Sequence, residues 1–199
     1  PSAVLEINRW NGDGSLGQSD FRASDLALNG GTLRYTGSEI TTPSPIDGNT
    51  GRAFSLGSNG GTLESVAPAG YVFAITQYNG DAGTYALPGF NSTLTLAGSG
   101  NGYISKTLSG SGGVTKTGSG TWTLARANSN TGNTSVLAGT LSLGNGSSNT
   151  NLADPSSVII ASGAKLHLNY SGTDTVNALS FGGIARPPGV YSAANSPFI

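Results

Sequence analysis

Few side chains in this sequence belong to the types that carry out acid–base or nucleophilic chemistry. His167 is the single histidine among 199 residues, and cysteine is absent. In Lys165-Leu166-His167-Leu168 the histidine alternates with leucines, so the pattern predicts a solvated side chain on the outer face of a strand. A Ser-His-Asp triad would require this histidine. The sequence therefore predicts no catalytic residue.

Charged residues near the N-terminus could form a different kind of active site. Three aspartates and three arginines lie close together in the sequence: Asp13, Asp20, Asp25, Arg9, Arg22 and Arg34. Enzymes that cleave acidic polysaccharides use carboxylates with basic side chains in a groove. Glycoside hydrolysis needs two carboxyl groups ~5–10 Å apart, which spacing along the chain does not establish. The sequence favours a non-enzymatic protein, with a polysaccharide-cleaving enzyme as a less favoured alternative.

Oxygen-bearing side chains alternate in Asn11-Gly12-Asp13-Gly14-Ser15, as they do in calcium-binding loops. The glycine expected at the sixth position is Leu16, and no glutamate closes the loop. A glycine-rich turn is the favoured interpretation, and the sequence predicts no metal site and no cofactor.

Aromatic and hydroxyl side chains offer two possible binding surfaces. Aromatic rings can stack on sugars, and the best candidates for a ligand site are Tyr78, Tyr85, Phe90 and Tyr103. The alternative is that these rings form a small satellite core. Threonine pairs at 93/95, 115/117 and 121/123 have the spacing of ice-ordering surfaces. Only the first interval matches a coil length, so ordinary outward threonines on strands are favoured.

The elements that must position these residues are β-strands. Residues 110–144 place glycines around Val114 and Lys116, and Trp122 and Leu124 continue an alternation of period two. After Gly139 the parity of the apolar positions changes, as it must where a strand turns a corner. Glycine, at 32 of 199 residues, disfavours helix, since each costs roughly 1 kcal/mol in a helix interior. The stretch predicts one coil of a solenoid.

The same stretch resembles a known family. Its order Gly-x-Gly-x-Val-x-Lys-x-Gly-x-Gly-x-Trp-x-Leu, continued by Gly139-Thr140-Leu141, is similar to the autotransporter-associated β-strand repeat of Gram-negative surface proteins. Weaker similarity extends to Leu26–Leu33, to 54–63 and to 93–98. The resemblance implies a right-handed parallel β-helix and an extracellular or cell-surface location.

One domain over residues 1–199, with about eight or nine coils of ~20–25 residues, is the expected architecture. Loop excursions are predicted at 41–48, 77–90 and 186–189, where prolines or glycine–aromatic clusters interrupt the strands. Turns with positive φ or close backbone approach are expected at Gly118, Gly120 and Gly139. The predicted core residues are Leu124, Val136, Leu141, Leu143, Val158, Ile160, Leu166 and Leu168.

Composition excludes several classes of function. A net charge of −1, with only 10% charged residues, provides no basic stripe for nucleic acid. The longest apolar runs, such as 71–75, are far shorter than the ~20 residues of a membrane span. The lack of cysteine is typical of a protein secreted through a Gram-negative envelope.

Neither end of the sequence resembles the polar cap of a solenoid. Val4, Leu5 and Ile7 form an apolar strand at one end, and Phe198 and Ile199 lie at the other. We therefore expect head-to-tail assembly through these residues, either as a homopolymer or within a longer β-helix. The favoured function is a structural segment of a surface fibre or passenger. The alternative is a carbohydrate-binding adhesin with a glycan partner.

Overall fold

The computed structural model describes residues 3–8, 26–38, 54–76, 86–87, 90–146 and 152–199. Within these ranges every regular element is a β-strand. In chain order the strands are β1 (Val4–Ile7), β2 (Ala27–Leu28), β3 (Thr32–Tyr35), β4 (Ser55–Leu56), β5 (Gly61–Ser65), β6 (Val72–Ile75), β7 (Ala86–Leu87), β8 (Leu94–Ala97), β9 (Asn101–Ile104), β10 (Thr107–Leu108), β11 (Val114–Lys116), β12 (Thr121–Leu124), β13 (Thr134–Val136), β14 (Thr140–Leu143), β15 (Ser157–Ile160), β16 (Lys165–Leu168), β17 (Ala178–Phe181) and β18 (Ile184–Ala185).

The strands form two principal sheets. The long sheet has nine strands in the order β1-β3-β5-β8-β11-β13-β15-β17-β18, and the second sheet has five in the order β16-β14-β12-β9-β6. All pairs are parallel except the antiparallel pair β17–β18. Two-stranded parallel sheets join β2 to β4 and β7 to β10. From β5 to β16 the chain passes repeatedly from the long sheet to the second, an all-β topology consistent with a solenoid.

Successive coils are stacked in register. Val114 pairs with Leu94 of the preceding coil and Thr134 of the following one. On the second sheet Trp122 pairs in the same way with Gly102 and Leu141. Several inter-coil hydrogen bonds in this region join residues 20 apart, at the short end of the expected coil length.

The core lies on the inner faces of both sheets. Seven of the eight predicted core residues are buried, and Leu168 is half-buried against the same cluster. Trp122 is fully buried, and an added Cβ on its register partner Gly102 would lie 2.3 Å from the indole. Glycine at that position therefore makes the space that the tryptophan occupies.

The predicted turn glycines are confirmed. Gly118 and Gly139 have φ values of +70° and +64°, a region that favours glycine because other residues carry a Cβ. Gly120 meets the second criterion, since an added Cβ would lie 2.0 Å from the carbonyl oxygen of Gly100. Close stacking of the coils at this corner therefore requires glycine.

The C-terminal segment folds back on the coil stack. The ring of Phe198 stacks on Phe181 at 4.9 Å, and the Phe198 carbonyl accepts a hydrogen bond from the Leu166 N–H at 2.8 Å. Ile199 is buried. The expectation that Phe198 and Ile199 present an open, uncapped core is therefore wrong, because Phe198 packs on Phe181 and Ile199 is buried in the core cluster.

The predicted loops have different outcomes. Residues 41–48 lie outside the described residues, as do 77–85 and 88–89. The interval 77–90 is not all loop, because it contains β7 and its buried Leu87. Residues 186–189 contain no strand.

Candidate functional site

The outer face of the second sheet brings together the polar side chains that could bind a ligand. The register aligns Tyr103 of β9, Thr123 of β12, Ser142 of β14 and His167 of β16 in one row across four strands. Adjacent strands in such a ladder are ~4.8 Å apart. We call these four residues the outer row.

Three members of the outer row are held by hydrogen bonding or burial. Ser142 Oγ lies 3.1 Å from His167 Nδ1, so the hydroxyl and the imidazole of neighbouring coils are hydrogen-bonded. His167 is exposed, as predicted from its alternation with leucines. Tyr103 is half-buried, and burial raises the pKa of its hydroxyl while the nearby charge of Arg126 lowers it. The phenol therefore stays protonated at neutral pH.

The second sheet differs from the long sheet in the charged residues that its strands carry. Its five strands contain no aspartate or glutamate, and Lys165 is exposed next to His167. By contrast, the long sheet carries an ion pair in which Arg34 Nε lies 2.8 Å from Glu64 Oε2, with Glu6 Oε2 3.6 Å from Arg34 Nη1. Ser142 is buried, so Tyr103, Thr123 and His167 are the members of the outer row that can offer hydrogen bonds to a ligand, on strands that carry no carboxylate.

The structure separates the four aromatic residues predicted to form a ligand site. Tyr78 and Tyr85 lie outside the described residues. Phe90 is only 1% exposed and packs in the core, so its ring presents no face to solvent. Tyr103 alone among the described candidates lies on an outward strand position.

The predicted assembly residues are also divided. Val4 and Leu5 are exposed on β1, at 51% and 45%, whereas Ile7 is buried in the core. Leu5 and Ile7 lie on the same face of β1, so alternation does not account for their different burial.

Most of the candidate residues near the N-terminus lie outside the described part of the chain. Asp13, Asp20, Asp25, Arg9, Arg22 and the 11–15 loop are not among the described residues. Within the part of the chain that is described, no group of three or more His, Cys, Asp or Glu could hold a metal ion. No helix in that part is long and apolar enough to cross a membrane.

The threonine pairs lie on two different sheets. Thr95 and Thr115 are in register on the long sheet, whereas Thr121 and Thr123 belong to the second sheet. This arrangement agrees with the interpretation of ordinary outward threonines. Thr32 and Thr62, which were not among the predicted pairs, extend the same register on the long sheet.

The outer row was also missed, although its members were visible in the sequence. The sequence signal for the outer row is the number of residues between register partners in successive coils. Tyr103 and Thr123 are 20 residues apart, but the next two pairs of the row have different spacings. A search for hydroxyl and aromatic residues at one fixed interval would therefore have lost Ser142 and His167.

Parallel coils with glycine corners and an apolar interior are consistent with a β-solenoid, and a comparison with known protein families identifies a repeat within it. Residues 114–143, which span β11 to β14, match the family model of the Passenger-associated-transport-repeat. The chain thus carries an autotransporter passenger repeat, and the predicted resemblance is confirmed.

One curated protein is similar over a longer stretch. The adhesin BmaC autotransporter of Brucella suis biovar 1 (strain 1330) is 38% identical over 86 residues. The match covers 43% of this chain and 2% of that protein, so this chain corresponds to a small part of its relative's length. No solved structure matches the chain with significance.

Proposed function

We propose that this chain is a non-enzymatic segment of an autotransporter-type passenger, displayed outside the cell as part of a surface adhesin. The observation that carries the proposal is the position of the matched repeat. Residues 114–143 form the middle of a continuous parallel stack, with strands paired on both sides in both sheets. A right-handed β-helix of eight or nine coils is the form of solenoid that we propose for the whole chain.

Surface display can be tested on intact cells that express the protein containing this chain. An antibody raised against folded residues 1–199 should label unpermeabilised cells, and external protease should remove the signal. A periplasmic protein should be unaffected under the same conditions. Labelling that appears only after permeabilisation would contradict surface display.

Adhesion needs a separate test, because a displayed solenoid can be a passive stalk. Beads coated with the folded chain should bind host cells or extracellular matrix. Beads coated with Gly120→Val, in which the added side chain blocks coil stacking at Gly100, should bind less. Equal binding of both preparations, or of neither, would contradict an adhesive role for this segment.

Carbohydrate binding is the second candidate, and the outer row is the observation that favours it. Hydroxyls, an imidazole and a half-buried tyrosine lie in register there on strands without carboxylates. Tyr103→Ala should then reduce binding on a glycan array. Thr115→Ala, on the outer face of the long sheet, is the matched control. Loss at Tyr78→Ala or Tyr85→Ala with no change at Tyr103→Ala would place the site elsewhere.

Head-to-tail assembly is proposed as the route to a longer fibre. It would pair β1, with Val4 and Leu5 exposed, with the opposite edge strand β18, on which Ile184 is 63% exposed. A contact between unlike edges does not close on itself and so builds a filament. Light scattering should show growth with concentration that Leu5→Lys suppresses. A concentration-independent monomer would contradict assembly without affecting the display proposal.

A further inference from the structure

Lys116 lies inside the molecule although its side chain is charged. Its exposure is 0%, and the register places it between Leu96 of β8 and Val136 of β13, in the inner column of the long sheet. Lysine is almost never fully buried unless its charge is compensated. A specific set of acceptors must therefore hold the ammonium.

Backbone carbonyls provide those acceptors. Lys116 Nζ donates to the carbonyl oxygens of Thr117 at 2.5 Å, Gly118 at 2.8 Å and Ala138 at 3.2 Å. An ammonium has three N–H donors and no acceptor. Each of the three donors thus has one carbonyl available to it.

The three carbonyls belong to two successive coils. Thr117 and Gly118 follow β11, whereas Ala138 follows β13, one coil further along the stack. The two turns approach closely, since a Cβ added to Gly139 would lie 2.5 Å from the Gly118 oxygen. The ammonium therefore joins two glycine corners that are too close to admit a side chain between them.

The preceding coil meets a similar requirement with a different donor. Ala97, at the end of β8, directs its carbonyl to Trp122 Nε1, and the two atoms are 3.0 Å apart. Trp122 is also fully buried. In consecutive coils, a buried side chain therefore donates hydrogen bonds to carbonyl oxygens at this corner. Polar groups that are removed from water require such partners.

We propose that the corner formed by Thr117, Gly118 and Ala138 is a cation site whose resident cation is the ammonium of Lys116, and that this ammonium couples the folding of two adjacent coils. The ligand class of the site is a primary ammonium ion, because three carbonyl oxygens match its three N–H groups. When the side chain is removed, the corner becomes a site for a small alkylammonium ion from solution.

The first test separates the ammonium from the aliphatic stem. Lys116→Met keeps an unbranched apolar side chain and removes the donors, so the carbonyls of three half-buried residues lose this partner. The unfolding equilibrium constant should rise roughly ten- to hundredfold, as expected when buried polar groups lose their hydrogen bonds. Lys165→Met, at an exposed position of β16, is the matched control and should change it little. A Lys116→Met variant as stable as the wild type would overturn the proposal.

The second test is chemical rescue of Lys116→Ala, which lacks the three methylenes and the nitrogen of propylammonium. Propylammonium chloride should raise the melting temperature of this variant more than that of the wild type. Tetramethylammonium chloride at the same ionic strength has no N–H donor and should not. Equal effects of the two salts would overturn the cation site.

A third measurement needs no variant and applies even if both variants fail to fold. In the native protein, acetic anhydride should modify Lys165 and leave Lys116 unmodified, as read by mass spectrometry of peptides. After unfolding in urea both lysines should react. Equal reactivity of Lys116 and Lys165 in the native protein would overturn the proposal.

Discussion

The middle coils and the C-terminal segment form their structure in different ways. In the middle coils, from β8 to β14, the strands of the two principal sheets stack in register, and glycines such as Gly98, Gly118 and Gly139 lie at the corners. In the segment from β17 onwards, the chain reverses into an antiparallel pair and relies on aromatic contacts among Phe181, Tyr191 and Phe198. The repeated register specifies the coil stack, whereas individual aromatic side chains hold the C-terminal segment that covers its last coil.

This difference has an energetic consequence. A substitution in the middle coils affects ladders on both sides, because each strand of the two principal sheets there pairs with two neighbours. The C-terminal contacts, including Arg186 at 5.0 Å from the Phe181 ring centroid, concern only the last coil. We therefore expect global effects in the first region and local effects in the second.

The largest effect is expected for Gly120→Val. The new Cβ would meet the Gly100 backbone at 2.0 Å, and no side-chain rotation relieves a clash with backbone. The loss of stability should exceed about 4 kcal/mol, the range of exceptional substitutions. Thr115→Val, on an outward strand position, should change stability by less than about 1 kcal/mol. Urea unfolding of both variants measures this difference in stability. An equal loss of stability in the two variants would contradict the assignment of Gly120 to a glycine corner.

Leu141→Ala should have the next largest effect, ~2–5 kcal/mol, because it leaves a cavity between two paired strands. Leu141 is fully buried, whereas Leu168 is half-buried at the edge of the second sheet. Leu168→Ala should therefore cost less in the same thermal or urea measurement. A larger loss at Leu168 would show that the core is centred elsewhere.

Phe198→Ala should produce a smaller and local effect. The substitution removes the stack on Phe181 and loosens the carbonyl that accepts from the Leu166 N–H. Hydrogen exchange should accelerate at Leu166 and leave the amides of β11 and β12 protected. Uniform acceleration throughout the chain would mean that the C-terminal segment stabilises the whole stack.

The smallest effect concerns pH. Burial lowers the pKa of Lys116 from 10.5 to about 8. Between these values the unfolded chain keeps a proton that the native protein releases, so stability should rise with pH across this window. Below about 8 both states are protonated and the contribution is constant. The slope should be absent in Lys116→Met, and an equal slope in both proteins would assign it to other groups.

Sequence analysis could predict the features that repeat. Alternation around Trp122 and Leu124 identified inward positions, and the change of parity after Gly139 located a corner. The same alternation places Lys116 on the inward face of its strand. Its burial could not be predicted, because a charged side chain is expected to be exposed. Only three-dimensional stacking brings the Ala138 carbonyl within reach of the ammonium.

The non-repeating features could not be predicted in the same way. Phe198 and Ile199 resembled an open end because apolar residues at the end of a sequence do not reveal what they pack against. Phe90 follows a glycine- and tyrosine-rich segment, and its local sequence left a sugar-stacking ring and a packed ring both open; it packs in the core. Long-range contacts determine the position of these aromatic residues, and local pattern does not encode them.

Disulfide trapping tests the central claim, a parallel stack in register, most directly, and the absence of native cysteine makes the result unambiguous. Thr95 and Thr115 are register partners on adjacent strands, as are Thr115 and Ser135. Cysteines at either pair should cross-link under mild oxidation, since adjacent strands lie ~4.8 Å apart and a disulfide spans up to ~7 Å between Cα atoms. Cysteines replacing Thr95 and Ser135, two strands apart, should not. Efficient cross-linking of that distant pair, with none in the adjacent pairs, would contradict the stack.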